Sequence, residues 1–231
     1  MFYPYLYFDP TMLLLIPVLV FSIYAQSKIS SSYHRYAKIL SQKGASAHLV
    51  AQAILQKSGI SDVAVEQTGG TLTDHFDPRK KVIRLSSGVY QSSSIAAIAV
   101  AAHETGHAIQ AHEHYGPMKF RNVLAPITSI GARLAIPLIL IGLIFQWMTL
   151  MKVAIVFFFI VFVFQLITLP VEYNASHRAL IALEQTGILN GQELPMAKKV
   201  LSAAALTYVA AAMTALVQLL RFILLARRRE R

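Results

Sequence analysis

Two stretches in the second half of the chain are too long and too apolar for the interior of a small water-soluble domain. Residues 122–147 contain a single charged side chain, Arg133, and residues 151–170 also contain only one, Lys152. An α-helix rises about 1.5 Å per residue, so about 20 residues cross the hydrocarbon core of a bilayer, which is about 30 Å thick. Because only a short connection separates the two stretches, the sequence predicts a transmembrane hairpin.

The two ends of the chain predict further membrane-spanning helices. Residues 1–25 lack the basic start of a cleavable signal peptide, and we expect them to remain as a transmembrane helix. The aromatic side chains near the N-terminus suit an interfacial belt; they are Tyr3, Tyr5, Tyr7 and Phe8. Near the C-terminus, residues 195–225 are typical of one long helix, and its part from 201 to 220 is apolar enough to span the membrane.

The composition supports the same fold class. Hydrophobic residues make up 55% of the chain and charged residues only 14%, whereas a soluble protein has about 25% charged residues. We therefore predict a mainly α protein with about four transmembrane helices, placed in the cell membrane as a multi-pass protein. The net charge of +10 favours contact with anionic head groups of the lipid bilayer. The basic residues are scattered and accompany no nucleic-acid-binding motif, so nucleic acid is not an expected partner.

The main polar segment covers residues 26–121 and holds seven of the eight histidines. Hydrophobic spacing within it predicts two helices, followed by two half-buried strands with a glycine turn between them. These elements cover residues 27–40, 45–58, 63–65 and 81–85. The serines at 92–94 offer N-caps for a longer helix that follows. The segment is therefore expected to form a small α+β domain.

That longer helix contains the pattern H-E-x-x-H at residues 103–107 (HETGH). Side chains four residues apart lie on one face of a helix, so His103 and His107 can offer two imidazoles to one metal ion. Glu104 can reach a metal-bound water without being a ligand itself. This spacing is typical of zinc peptidases. A motif with only three fixed residues also occurs by chance in unrelated proteins.

A catalytic zinc site needs a third protein ligand, and the chain contains no cysteine. A longer motif with a third histidine is excluded, because it requires glycine and histidine where the chain has Gln110 and Glu113. Two other histidines are nearby, His112 and His114, but neither stands at the position of the third histidine in that motif. The hairpin returns the chain to the polar side of the membrane just before Glu172, which makes Glu172 the leading third ligand. Glu113 and Glu184 remain alternative carboxylates.

Four stretches of the chain resemble the YugP-like family of membrane neutral zinc metallopeptidases. They are LTDHFDP (72–78), AHETGHAIQ (102–110), TLPVEYNAS (168–176) and AAALTYVAA (203–211). This family is more distantly similar to the HtpX and CAAX-prenyl-protease gluzincins. The resemblance implies a zincin-like fold, zinc as the cofactor and Glu104 as the catalytic base and acid. The zinc ligands that it implies are His103, His107 and Glu172.

The gluzincin pattern usually has an aspartate four residues after the ligand glutamate. This chain has Ser176 at that position. A serine can hydrogen-bond a ligand histidine or Glu172, although it brings no negative charge. We therefore expect Ser176 to act as a neutral hydrogen-bonding partner of the metal ligands.

The predicted function is that of a membrane-embedded zinc-dependent endopeptidase of the HExxH...E gluzincin type. Glu104 would assist the attack of zinc-bound water on the peptide bond, and a further donor would stabilise the oxyanion. His177 and Arg178 are the leading pair for that role, with His75 and Tyr173 as alternatives. An exposed edge strand before the HExxH helix could pair with an extended substrate. A site between membrane anchors suggests membrane proteins or membrane-proximal peptides as substrates.

Two other functions fit part of the sequence. A catalytically silent protein of the same fold would bind zinc without cleaving peptides, and a small multi-pass transporter would place polar residues inside its spans. The spans are nearly uncharged, which favours the enzyme. Orientation signals conflict: the basic tail at 227–231 favours a cytoplasmic C-terminus, whereas basic residues beside the spans on the catalytic side favour a cytoplasmic active site. The sequence specifies no oligomeric state.

These predictions divide the chain into five segments. In order, they are a transmembrane helix (1–25), a zincin-like catalytic segment (26–121), a transmembrane hairpin (122–170), a helix with the third zinc ligand (171–200), and a transmembrane helix with a basic tail (201–231). The metal site is then assembled from two segments that the hairpin separates.

Overall fold

The computed structural model describes residues 10–230, without the side chains of 228–230. The predicted aromatic belt of Tyr3, Tyr5, Tyr7 and Phe8 lies outside the described residues. After a short 3-10 helix (Pro10–Leu14), the helices are α1 (Leu15–Tyr36), α2 (Ala47–Lys57), α3 (Ser87–Tyr90), α4 (Ile95–His112), α5 (Gly116–Ile144), α6 (Met148–Thr186) and α7 (Leu194–Glu230). The strands are β1 (Ala64–Thr68), β2 (His75–Asp77) and β3 (Val82–Ser86).

Four helices in the described part of the chain are long and apolar enough to cross a membrane. They are Pro10–Tyr36, Gly116–Ile144, Met148–Thr186 and Leu194–Arg227. These helices and the small sheet confirm the predicted fold class, a mainly α membrane protein with a small α+β core. The first helix is continuous with the polar helix expected after it, because no glycine or proline interrupts the chain between Ala25 and Tyr36.

Pro170 lies inside a helix, whereas the sequence predicts that it begins one. α6 runs without a break from Met148 to Thr186. A proline lacks the backbone N–H, so the carbonyl of Leu166 loses its usual helical partner. Membrane helices tolerate this loss when neighbouring groups satisfy the freed carbonyl. One continuous helix therefore carries both the apolar span and Glu172.

The chain divides into two compact units, and the first contains the apolar parts of the long helices. Unit 1 comprises residues up to Tyr24, Arg121–Ile167 and the chain from Val209 onward. Within it, only residues 145–147 connect α5 to α6. A Cβ atom on Gly142 would lie 2.6 Å from Met151 Cγ, so the two helices approach closely beside this connection. α5 and α6 thus form a closely packed helix pair with a short connection.

The second unit contains the sheet and is built around α4. Unit 2 comprises Ala25–Phe120 and Thr168–Tyr208. Fourteen of the 18 residues of α4 are buried, and its apolar side chains share a core with α2, β3, α6 and α7. Ser94 is the N-cap of this helix, as predicted, since its hydroxyl accepts a hydrogen bond from the Ala97 N–H at 3.3 Å. The HExxH motif therefore lies on the central helix of unit 2.

The sheet differs from the prediction in its pairing. Among the described residues it has the order β1–β3–β2, with β3 parallel to β1 and antiparallel to β2. β2 falls in a stretch that the sequence assigns to a loop. The strand before α4 is therefore central and largely buried, not the exposed edge strand that we predict. Alternation of apolar residues identifies a strand but not its neighbours, which is why the pattern misses this topology.

Candidate metal centre

Two histidines from α4 and one glutamate from α6 converge in unit 2. His103 and His107 lie one turn apart, with their rings edge to face and the ring centroids 4.8 Å apart. Glu172 Oε2 lies 3.1 Å from His103 Nε2 and 3.5 Å from His107 Nε2. One ligand atom from each residue lies within 4.8 Å of the other two. The structure thus brings together the three residues that the sequence and the family resemblance indicate.

These separations fit a zinc ion. Zinc lies about 2.0–2.2 Å from histidine nitrogen and carboxylate oxygen, so ligand atoms at tetrahedral positions are roughly 3.3–3.5 Å apart. The distances from Glu172 Oε2 to the two Nε2 atoms are close to that range. Two histidines and a glutamate are also a donor set of catalytic zinc, which keeps a fourth position for water or substrate.

Each ligand histidine forms a second hydrogen bond through Nδ1. Ser176 Oγ lies 3.1 Å from His103 Nδ1, so Ser176 is a hydrogen-bonding partner as predicted. Gln110 Oε1 lies 3.0 Å from His107 Nδ1, and the Nδ1–H of His107 donates to it. This tautomer of His107 leaves its Nε2 lone pair free to bind a metal.

Gln110 is a residue of the site that the sequence analysis misses. Its side chain is fully buried, and Nε2 donates to the Val171 carbonyl at 2.8 Å and to Asn174 Oδ1 at 2.9 Å. Gln110 therefore connects His107 to the helix that carries Glu172. The sequence feature that could have identified Gln110 is its spacing, because it follows His107 by three residues and lies on the same helix face.

Gly106 lies at the close approach of α4 and α6. A Cβ atom at this position would lie 2.3 Å from the carbonyl oxygen of Ala175, well inside van der Waals contact. The two backbones can meet here only because Gly106 has no side chain. The contact sets the separation at which Glu172 reaches His103 and His107.

We expect Gly106→Ala to destabilise the protein and to weaken zinc binding. The added methyl group must push α4 from α6, and overpacking of this kind costs about 1–3 kcal/mol. The thermal midpoint in detergent should fall by roughly 2–12 °C, together with the zinc content after dialysis. Gly116→Ala is the matched control, since a Cβ there meets no atom within 4 Å. Equal midpoints and zinc contents for both variants would contradict the proposed contact.

Glu104 is buried beside the ligands. Burial raises the pKa of its carboxyl above the ordinary value, and the nearby carboxylates of Glu172 and Asp74 add to the rise. His103 and the backbone N–H of Phe76, which donates to Glu104, act in the opposite direction. A carboxylate with a raised pKa is a stronger proton acceptor than an ordinary carboxylate.

His103 and Glu104 open onto a cleft of about 440 Å³ within unit 2. Its walls come from α1, α4, α7 and the loop before β2, and much of this lining is apolar. The apolar side chains include Ile29, Leu72, Val100, Val200 and Leu201. Asp74 also lines the cleft, and its carboxylate accepts hydrogen bonds from the N–H and hydroxyl of Ser86. The cleft therefore joins Glu104 to a largely apolar surface.

The other residues singled out from the sequence are exposed or form hydrogen bonds with residues other than the three ligands. Arg178 donates to Asn174 Oδ1 at 2.7 Å and to Glu113 Oε2 at 2.6 Å. His75 Nδ1–H donates to the Thr73 carbonyl at 2.7 Å. The exposed members of this set are His75, His112, Glu113, His114, Tyr173, His177 and Glu184. Neither alternative carboxylate, Glu113 or Glu184, joins the metal-binding group found among the described residues.

Comparison with known proteins agrees with this site. Residues 11–227 match the model of a family described as "Putative neutral zinc metallopeptidase". The chain is 43% identical over 212 residues to the "Putative membrane protease YugP" of Bacillus subtilis (strain 168), covering 92% of this chain and 94% of that protein. No solved structure matches the chain. With its four apolar helices and a triad suited to zinc, this multi-pass membrane protein belongs to the neutral zinc metallopeptidase family.

Proposed function

We propose that the protein is a zinc-dependent endopeptidase of the HExxH...E gluzincin type. In this proposal His103, His107 and Glu172 hold the zinc, and Glu104 is the general base and acid. The observation that carries it is the convergence of three ligand atoms within 4.8 Å, beside a buried carboxylate that opens onto a cleft. We keep the five-segment division of the chain as part of the proposal.

The chain's own residues supply the proton transfers. Zinc, when bound, is a Lewis acid that lowers the pKa of coordinated water and polarises the scissile carbonyl. Glu104 takes the proton of the attacking water and delivers it to the leaving amine. Gln110 fixes the tautomer of His107, and Ser176 and Gln110 orient the two ligand imidazoles. The reaction is therefore hydrolysis of a peptide bond without a covalent enzyme intermediate.

The edge strand β2 is the proposed place for the substrate backbone. β2 is an outer strand of the sheet, and the N–H of its central residue, Phe76, donates to Glu104. An extended peptide that pairs with the outer edge of β2 would lie next to this carboxylate. The apolar cleft favours membrane proteins or membrane-proximal peptides as substrates. That His177 and Arg178 stabilise the oxyanion stays a prediction, and Arg178 would first have to leave Glu113.

Metal removal tests this function. The purified full-length protein in detergent should contain one zinc per chain and cleave an apolar peptide library. A chelator should abolish cleavage, and added Zn²⁺ should restore it whereas Mg²⁺ should not, because imidazole ligands favour zinc over magnesium. Cleavage that persists after complete zinc removal would contradict the mechanism. Stoichiometric zinc without any cleavage would favour the catalytically silent alternative.

A further inference from the structure

A second groove in unit 2 is lined by four basic side chains. It has a volume of about 810 Å³ and lies between α1 and α7, apart from the cleft that contains Glu104. The basic residues are Lys28 and Arg35 from α1 and Lys198 and Lys199 from α7. We call it the α1–α7 groove.

Among the residues that the structure describes, the cations of the α1–α7 groove have no acidic partners. No acidic side chain of this part of the chain lines the groove, and none of the four cations forms an ion pair within it. The acidic residue just before α7 is Glu193, whose carboxylate oxygens accept hydrogen bonds from the backbone N–H groups of Gln42 and Asn190. Four like charges around one groove repel one another, so an anion is the ligand that this arrangement favours.

The rest of the lining is suited to an amphipathic anion. The hydroxyl group of Ser202 lines the groove beside the cations and can donate to a phosphate oxygen. The hydroxyl of Ser31 also lines the groove and donates to the Lys28 carbonyl at 3.1 Å. Ser32 also lines it, and its buried hydroxyl has no hydrogen-bond partner among the described residues. Ala203 and Leu206 add apolar surface on α7. Head-group contacts and a surface for an acyl chain are thus present in one groove.

The position of these cations along their helices favours a lipid. Lys28 is the first charged residue after the uncharged run 10–27, and Lys199 is the last one before the uncharged run 200–220. Unit 1 ends in α1 at Tyr24, and Lys28 lies four residues farther, which is about 6 Å along the helix. The head-group layer on each side of a bilayer is roughly 5–8 Å thick. With the two uncharged runs in the hydrocarbon core, cations from both helices would lie at the depth of the lipid phosphates.

We infer that the α1–α7 groove binds the phosphate head group of an anionic phospholipid, with an acyl chain along Ala203 and Leu206. The binding is independent of the peptidase activity proposed above. It requires neither zinc nor Glu104, because none of the metal-site residues lines this groove.

The test is lipid binding to the purified full-length protein in detergent, counted by native mass spectrometry. Phosphatidylglycerol, phosphatidylcholine and inorganic phosphate are the probes. The unaltered chain should retain one phosphatidylglycerol with a preference of roughly tenfold or more over phosphatidylcholine. The variant with Lys28→Gln, Arg35→Gln, Lys198→Gln and Lys199→Gln should lose this preference, since each cation contributes on the order of fivefold in affinity.

A second variant controls for net charge. It carries Lys38→Gln, Lys43→Gln, Arg79→Gln and Lys80→Gln, which are exposed and outside the groove, and it should keep the preference. A third variant with Lys28→Arg, Lys198→Arg and Lys199→Arg preserves the charges and should also keep it. Zinc content serves as the folding check, and if the fourfold groove variant fails it, Lys198→Gln with Lys199→Gln replaces it.

Three results would overturn the inference. The groove variant could bind phosphatidylglycerol as the unaltered chain does, or the control variant could lose equal affinity, which would indicate a general charge effect. Inorganic phosphate could bind as well as the lipid, which would make free phosphate the ligand. Loss of lipid preference with zinc retained supports the inference even if no peptide is ever cleaved.

Discussion

Glu104→Gln should retain stoichiometric zinc and lose peptide hydrolysis, with kcat/KM lower by about 10²–10⁴-fold. Glutamine has almost the same shape and keeps an oxygen that can accept the Phe76 N–H. It cannot take a proton from water. The metal ligands His103, His107 and Glu172 are unchanged, so zinc binding should persist.

The measurement combines cleavage kinetics with metal analysis on one preparation. Glu66→Gln is the control for loss of a carboxylate, because Glu66 is exposed on β1 and contributes nothing to the cleft. Hydrolysis by Glu104→Gln at the rate of the unaltered chain would remove Glu104 from the mechanism. Loss of zinc together with activity would instead indicate that Glu104 has a structural role.

Glu172→Ala should lose both zinc and activity. Removal of the carboxylate leaves two histidines, and a catalytic zinc site needs three protein ligands. We expect zinc affinity to fall by more than about 100-fold, since loss of a partner that only orients a ligand already costs about 10–100-fold. A competition titration with a chromophoric zinc chelator would measure the change.

Glu184→Ala is the matched control for Glu172→Ala. Both glutamates lie on α6, but Glu172 is 3% exposed and Glu184 is an exposed residue. The control should bind zinc as the unaltered chain does. If Glu172→Ala kept its zinc while Glu184→Ala or Glu113→Ala lost it, the third ligand would be assigned to the wrong carboxylate.

Much of the fold could be predicted because it depends on neighbours along the chain. Uncharged runs identify the four long helices whatever they pack against, since backbone groups in a bilayer must bond within one segment. The spacing of His103 and His107 places them on one helix face by geometry alone. The sequence also indicates Glu172, through the return of the chain after a hairpin.

The features that sequence reasoning misses depend on contacts between distant segments. β2 is a short strand that pairs with β3, and no local sequence pattern predicts this pairing. Gln110 has a role only because Val171 and Asn174 lie beside it in the folded chain. Pro170 would end most helices, and surrounding groups decide whether a helix continues through it.

The sequence by itself therefore determined the membrane helices, the HExxH face of α4 and the chemical type of the ligands. Only the tertiary structure decided that these ligands meet. Glu172 reaches the two histidines because Gly106 lets α4 approach the Ala175 carbonyl of α6, and Ser176 and Gln110 then orient the rings. Periodicity describes one helix at a time, whereas a metal centre requires a distance between two helices, which side-chain packing sets.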